Sequence, residues 1–98
     1  MREDYNRNQP KQRNVVGTAA RLGHTECIKF FERLGVDVNH CSENGTSPIS
    51  MAAKQGHVEC IKALYELGAD INKCDNDGWS PVFAAVEQGH VECIKALH

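Results

Sequence analysis

No run of apolar residues in this 98-residue chain approaches the roughly 20 needed to cross a bilayer, so no membrane-spanning helix is expected. The charges near the N-terminus are not followed by an apolar core, and the expectation is therefore no secretory leader. Excess charge of one sign is also scarce. The formal net charge is -2, which leaves no global electrostatic case for nucleic acid or for an anionic membrane. A cytoplasmic location, with the nucleus as the alternative, follows from those absences. Missing too are the usual marks of an active site: a nucleophile beside a base, a phosphate-cradling glycine loop, or paired carboxylates standing apart from the rest of the pattern. A non-enzyme is expected.

The charge that is present is uneven. Residues 1–13 carry Arg2, Arg7, Lys11 and Arg13 against Glu3 and Asp4, a local +2 that leaves -4 for the rest. A surplus that small does not argue for phosphate binding, and the segment reads as a solvated, disordered tail.

Against those absences stands one strong presence. The nonapeptide Gly-His-Val-Glu-Cys-Ile-Lys-Ala-Leu occurs at residues 56–64 and again at 89–97, a spacing of 33. A worn copy, Gly23, His24, Thr25, Glu26, Cys27, Ile28 and Lys29, lies 33 residues earlier. A fixed period of that size marks a solenoid, in which each unit is one supersecondary element stacked on the next. Such a stack makes an extended ridged surface rather than a catalytic cleft.

The five cysteines obey the same register: Cys27, Cys60 and Cys93 are 33 apart, as are Cys41 and Cys74. Neighbouring helices pack about 10 Å apart, whereas a disulfide needs Cα atoms within about 7 Å. Equivalent cysteines should therefore stay free, which suits a reducing compartment. The helix set reads as small hydrophobes and the loop pair as the more exposed thiols. The repeated His-x-x-Cys pairs (His24 and Cys27, His57 and Cys60, His90 and Cys93) bring only two ligands per unit, short of the four a structural zinc wants. No metal or cofactor is expected.

The second unit shows how the repeat is built. Ser47 is placed to cap a helix and Pro48 suits its first position, where an N–H would go unpaired anyway. Ile49, Ala52 and Ala53 then share a face, and Gly56 ends the helix. Residues 57–59 open a second helix with Glu59 at its positive end. Cys60, Ile61 and Leu64 make its inner stripe, and Gly68 stops it. Residues 69–72 lead out to a polar turn at residues 73–78, and Ser80-Pro81 restarts the cycle. Each helix is about 8–10 residues, below the roughly 12–15 that persist alone in water, so every unit must bury its stripe on the next.

These residues resemble the ankyrin-repeat family. The likeness rests on Gly45-Thr46-Ser47-Pro48-Ile49-Ser50-Met51-Ala52-Ala53, on Gly56-His57-Val58-Glu59 and on Leu67-Gly68-Ala69-Asp70-Ile71-Asn72. A second set, Gly78-Trp79-Ser80-Pro81-Val82-Phe83-Ala84-Ala85 with Gly89-His90-Val91-Glu92, repeats it. The resemblance covers residues 14–98 and implies a mainly α ankyrin-type α-solenoid of about three stacked helix-turn-helix repeats joined by β-hairpin-like loops, with units at about 14–41, 42–74 and 75–98. Departures are visible. The family's Thr-Pro-Leu-His becomes Ser47-Pro48-Ile49-Ser50 and Ser80-Pro81-Val82-Phe83, without the histidine that ties neighbouring turns. In the first unit Asn14-Val15-Val16-Gly17 replaces the motif, which suggests a cap. The third unit runs to His98, within its second helix; either the array continues or the bare end self-associates.

The resemblance implies a binding module that holds another protein on a concave face made of hairpin tips and first helices. The positions matching that face are His40, Glu43, Asn44 and Thr46 in the first hairpin, and Lys73, Asn76, Asp77 and Trp79 in the second, with Cys41 and Cys74 beside them. Arg21, Leu22, Lys54, Gln55, Glu87 and Gln88 follow from the first helices. Trp79, the single tryptophan, stands where Thr46 stands one unit earlier, and buried aromatics dominate many interfaces. The partner is expected to be a protein, with no nucleic acid, no membrane, and a homo-oligomer through the C-terminal end as the other expectation. His57 and His90 read as fixtures of the helix starts, and Asp37 and Asp70 as turn holders.

Overall fold

The computed structural model describes residues 14–98. The expected N-terminal tail, residues 1–13, lies outside the described residues. Six helices follow in order: α1 (Val15–Leu22), α2 (Thr25–Arg33), α3 (Pro48–Gln55), α4 (Val58–Glu66), α5 (Pro81–Gln88) and α6 (Val91–Leu97). They pair within units as α1–α2, α3–α4 and α5–α6. The first helices form one row, α1–α3–α5, and the second helices another, α2–α4–α6. The result measures 39 × 26 × 20 Å, longer along the stack than across it.

Local chemistry explains the boundaries of the first helix in each unit. Ser47 and Ser80 sit in extended backbone and their hydroxyls accept from the amides of Ser50 and Phe83, at 3.2 and 3.3 Å. Proline occupies the first position of both α3 and α5. The first unit lacks that motif yet is capped equally well. Asn14 Oδ1 accepts from Gly17 N at 2.9 Å, while Asn14 Nδ2 donates to His40 O at 2.7 Å. One asparagine thus caps α1 and ties it to the first hairpin. Gly23, Gly56 and Gly89 close the first helices at φ +82°, +83° and +73°, a left-handed turn that side chains resist.

The expected inner stripes are the core. Ile49, Ala52, Ala53, Cys60, Ile61 and Leu64 are all buried, in one apolar cluster with Val16, Ile28, Ala85 and Cys93. Each helix has 7 to 9 residues, so this cross-helix burial, not intrinsic propensity, holds them helical. Equivalence in register does not mean equivalence in burial. Cys60 and Cys93 are enclosed, but Cys27 is exposed. The side chain at this position faces the preceding unit, shown by Thr25 Oγ1 lying 3.2 Å from Cys60 Sγ, and no described unit precedes Cys27.

The connecting loops are hairpin-like without forming strands among the described residues. Two backbone bonds close each: Ser42 N donates to Thr46 O and Gly45 N to Ser42 O, both at 2.9 Å, and Asp75 N donates to Trp79 O at 3.0 Å and Gly78 N to Asp75 O at 2.9 Å. Asp37 and Asp70 hold the loop entries as expected, accepting from Asn39 N and Asn72 N at 2.8 and 2.9 Å. Gly68 lies two residues beyond the end of α4, directly after Leu67, whose backbone N–H caps the last carbonyls.

Bracing between units survives the loss of the motif histidine. Ser50 stands in that place, buried, with no hydrogen-bond partner for its Oγ among the described residues. The ties lie elsewhere. His57 Nε2 meets Arg21 O at 3.0 Å, and His90 Nε2 meets Lys54 O at 3.1 Å. Asn39 Oδ1 accepts from Asp70 N at 2.9 Å, and Asn76 N donates to Asn44 O at 3.1 Å.

Candidate functional site

The hairpin tips are set by short polar side chains that fold back on their own backbone. In the second tip Asp75 does most of this: its Oδ1 accepts from both Asp77 N and Trp79 N at 2.9 Å. That fixes the backbone from which the Trp79 indole projects. In the first tip Asn44 Oδ1 accepts from Thr46 Oγ1 at 2.9 Å and also pairs with the Ser42 hydroxyl. The tips then lock to one another through Asn76, whose Nδ2 donates to Glu43 O at 3.4 Å. Gly45 makes this approach feasible, since a Cβ there would lie 2.9 Å from Asn76 N and closer still to its side-chain oxygen.

Of the residues expected to meet a partner, Arg21, Leu22, His40, Glu43, Asn44, Lys54, Gln55, Lys73, Asn76, Asp77, Trp79, Glu87 and Gln88 are exposed, and Thr46 is half-buried. Arg21, Lys54 and Glu87 occupy equivalent last-turn positions of α1, α3 and α5. Along the stack, the charge in that position runs plus, plus, minus. The described ion pairs lie on the other row: Lys29–Glu26, Lys62–Glu59 and Lys95–Glu92, at 3.4, 4.0 and 3.3 Å, on α2, α4 and α6. Those pairs are solvent-exposed and contribute little to stability. The charges of the first-helix row and hairpin tips make no ion pair among the described residues, so they stay available to another molecule.

One participant escaped the sequence reading. Phe83, on the first turn of α5, packs edge-on against Trp79 with ring centroids 4.6 Å apart. Both rings are 42% exposed. Edge-to-face pairing holds each ring in place, so the two present a fixed apolar projection at the turn that carries Asn76 and Asp77. The signal was present in the sequence: residues 79 and 83 are four apart across a helix start, with Ser80-Pro81 between. Asp75 was missed as the organiser of that tip, although Asp-x-Asp-Gly is a turn signature.

The cysteines divide by environment. Burial pushes the Cys60 thiol up from its ordinary pKa; its hydrogen bond with Thr25 lowers it, and Glu59 adds a smaller upward push. Burial and then Glu92 raise Cys93. Both are protonated, inert packing groups at neutral pH. Cys74 is exposed and Cys41 half-buried. Among the described residues no group of three or more His, Cys, Asp or Glu side chains gathers where a metal ion could be held, and no helix is long and apolar enough to cross a membrane. A solvent-open depression of about 310 Å³ lies between the second-helix starts, lined by Gly56, Val58, Gly89, His90 and Val91 among others. Its imidazole already bonds Lys54 O.

Comparison with curated proteins gives no match. The family model described as ankyrin repeats (3 copies) matches residues 16–98, from the second residue of α1 through the end of α6. With the paired helices, the left-handed glycine stops and the 33-residue register already in view, that match is decisive: the chain belongs to the ankyrin-repeat family.

Proposed function

We propose that this domain holds a partner protein on the face formed by its hairpin tips and first helices, with Trp79 and Phe83 as the apolar anchor. Ankyrin repeats are generally protein–protein interaction modules, and the family is typically non-catalytic. The observation that carries the finer reading is the edge-paired, half-exposed aromatic couple, held by Asp75 and bordered by unpaired charge. Aromatic anchors ringed by polar groups are the usual make-up of a binding hot spot. Arg21 and Lys54 at one end and Glu87 at the other would set the direction in which a charged partner lies. The test is capture of partners by the domain and by two variants, Trp79→Ala and the double substitution Lys54→Ala with Glu87→Ala. Each is surface-exposed, so fold is retained. Loss of a captured protein by either variant, with retention by Lys62→Ala on α4, supports this face. Undiminished capture by both removes it.

A second reading, self-association through the C-terminal unit, is favoured by a separate observation. Val82, Val86 and Val91 are exposed, whereas their equivalents Ile49 and Ala53 are fully buried and Val58 is half-buried. Light scattering at rising concentration tests it.

A further inference from the structure

We infer that Asn44 is a site of spontaneous deamidation, assisted by the donors that bond its side-chain oxygen, and that its isoaspartyl product disconnects the two hairpin tips. The chemistry belongs to the first tip alone and stands whether or not this face holds a partner. The reaction is intramolecular. The Gly45 main-chain nitrogen attacks Asn44 Cγ, the Cγ–Nδ2 bond breaks, and ammonia leaves with the proton that nitrogen gave up. Water then adds to one carbonyl carbon of the resulting succinimide and breaks its bond to the ring nitrogen, which regains a proton. Cleavage at Cγ leaves aspartate. Cleavage at the main-chain carbonyl leaves isoaspartate, with the chain now running through Cβ and Cγ.

Asn44 is the one asparagine of the chain followed by glycine, so no side chain shields the attacking nitrogen. It is exposed and lies outside the helices, and Gly45 N is held only by the turn bond to Ser42 O, at 2.9 Å. Negative charge collects on Asn44 Oδ1 as the nitrogen adds. Three donors already meet that oxygen: the Ser42 hydroxyl, Thr46 Oγ1 at 2.9 Å and Thr46 N at 3.4 Å. Donors aimed where charge develops lower the barrier. The leaving Nδ2 makes no hydrogen bond among the described residues. By contrast, Asn14, Asn39 and Asn76 commit Nδ2 to His40 O, Gly68 O and Glu43 O. Asp77-Gly78 holds the same register in the second tip, but an ionised carboxylate is a poorer electrophile than an amide and reacts more slowly.

The product matters because of what the Asn44 main chain does. Its carbonyl accepts from Asn76 N at 3.1 Å, the bond that joins the tips. In isoaspartate that carbonyl becomes a free carboxylate off the main chain, and the chain gains a methylene. The tip has no room for it, since a Cβ on Gly45 would already lie 2.9 Å from Asn76 N. Plain conversion to aspartate keeps the carbonyl, and with it the lock.

The experiment ages the full chain in warm neutral buffer and maps it by peptide mass spectrometry, with isoaspartate counted by enzymatic methyl transfer. Asn44 should convert before any other asparagine, to a mixture of aspartate and isoaspartate. Thr46→Val keeps the side-chain shape, removes one donor to Oδ1 and should slow conversion about fivefold, the ratio that loss of one hydrogen bond gives. Circular dichroism verifies that this variant folds. Amide exchange by nuclear magnetic resonance then reads the lock. The Asn76 amide should stay protected in Asn44→Asp and lose its protection in the isoaspartyl form. An Asn44 still intact when another asparagine has converted overturns the site. A Thr46→Val variant that converts as fast as the wild type overturns the assistance. An isoaspartyl form whose Asn76 amide is protected as before overturns the disconnection.

Discussion

Val16 and Val82 occupy the same position in the repeat, 66 residues apart, so truncating both to alanine isolates the effect of neighbours. Val16 is 0% exposed, between α1 and the next unit, while Val82 is 40% exposed. Deleting two buried methyl-sized groups costs about 1.6 kcal/mol in transfer at about 0.8 each, and a residual cavity adds to it. Alanine returns about 0.5 kcal/mol of helix propensity at either site. Val16→Ala should therefore destabilise by about 2 kcal/mol. At Val82, where roughly three-fifths of the side chain is covered and nothing lies above it to leave a void, the net cost should be about 0.5 kcal/mol. A chain of this size has about 5–15 kcal/mol in all. The assay is urea denaturation followed by circular dichroism, at a concentration below any self-association. With a slope of about 2 kcal/mol/M, Val16→Ala should lower the midpoint by about 1 M and Val82→Ala by about 0.25 M. Equal shifts would refute the reasoning, because burial by the adjacent unit would then not be what stabilises each helix.

Three other perturbations test separate parts of the account. Gly56→Ala and Gly89→Ala impose the same left-handed strain, about 1 kcal/mol, but only Gly56 has the His90 ring 3.0 Å from the new methyl; thermal melts should show Gly56→Ala as the more damaging. Ser50→Ala removes a buried hydroxyl that has no partner and should stabilise by about 1 kcal/mol in urea titration, the scale of an unsatisfied polar group. Thiol-reagent kinetics should find Cys27 and Cys74 fast, Cys41 slower, and Cys60 and Cys93 reactive only as the chain opens. Since burial raises the Cys60 and Cys93 pKa values in the folded state, their contribution is present below the ordinary thiol pKa and is lost as pH climbs above it. Urea midpoints should accordingly fall in the alkaline range, and Cys60→Ala with Cys93→Ala should flatten that fall.

The repeat register made local structure legible. Ser47, Pro48 and Gly56 mark where α3 begins and ends because capping depends on the residue itself and its near neighbours. The stripe of Cys60, Ile61 and Leu64 follows from helical period alone. What register could not convey was context. Cys27 matches Cys60 in sequence, yet one is exposed and the other buried, since the deciding feature is the unit alongside. Asn14 looked like a lost motif and proves to be a cap that also reaches His40 O, 26 residues away. The bonds of His57 and His90 to carbonyls 36 residues earlier have no local signature. On the candidate face, the exposure of Trp79 was legible from its turn position. Its pairing with Phe83 was not, because Phe83 replaces a small buried residue, Ser50, one unit back.

Hydrogen exchange of the domain with and without a captured partner is the most direct test of the functional claim. Binding on the proposed face should slow exchange at residues 43–46 and 76–79 and along α3 and α5, and leave α2, α4 and α6 unchanged. Protection confined to α2, α4 and α6, with the hairpin tips exchanging as in the free domain, would contradict it.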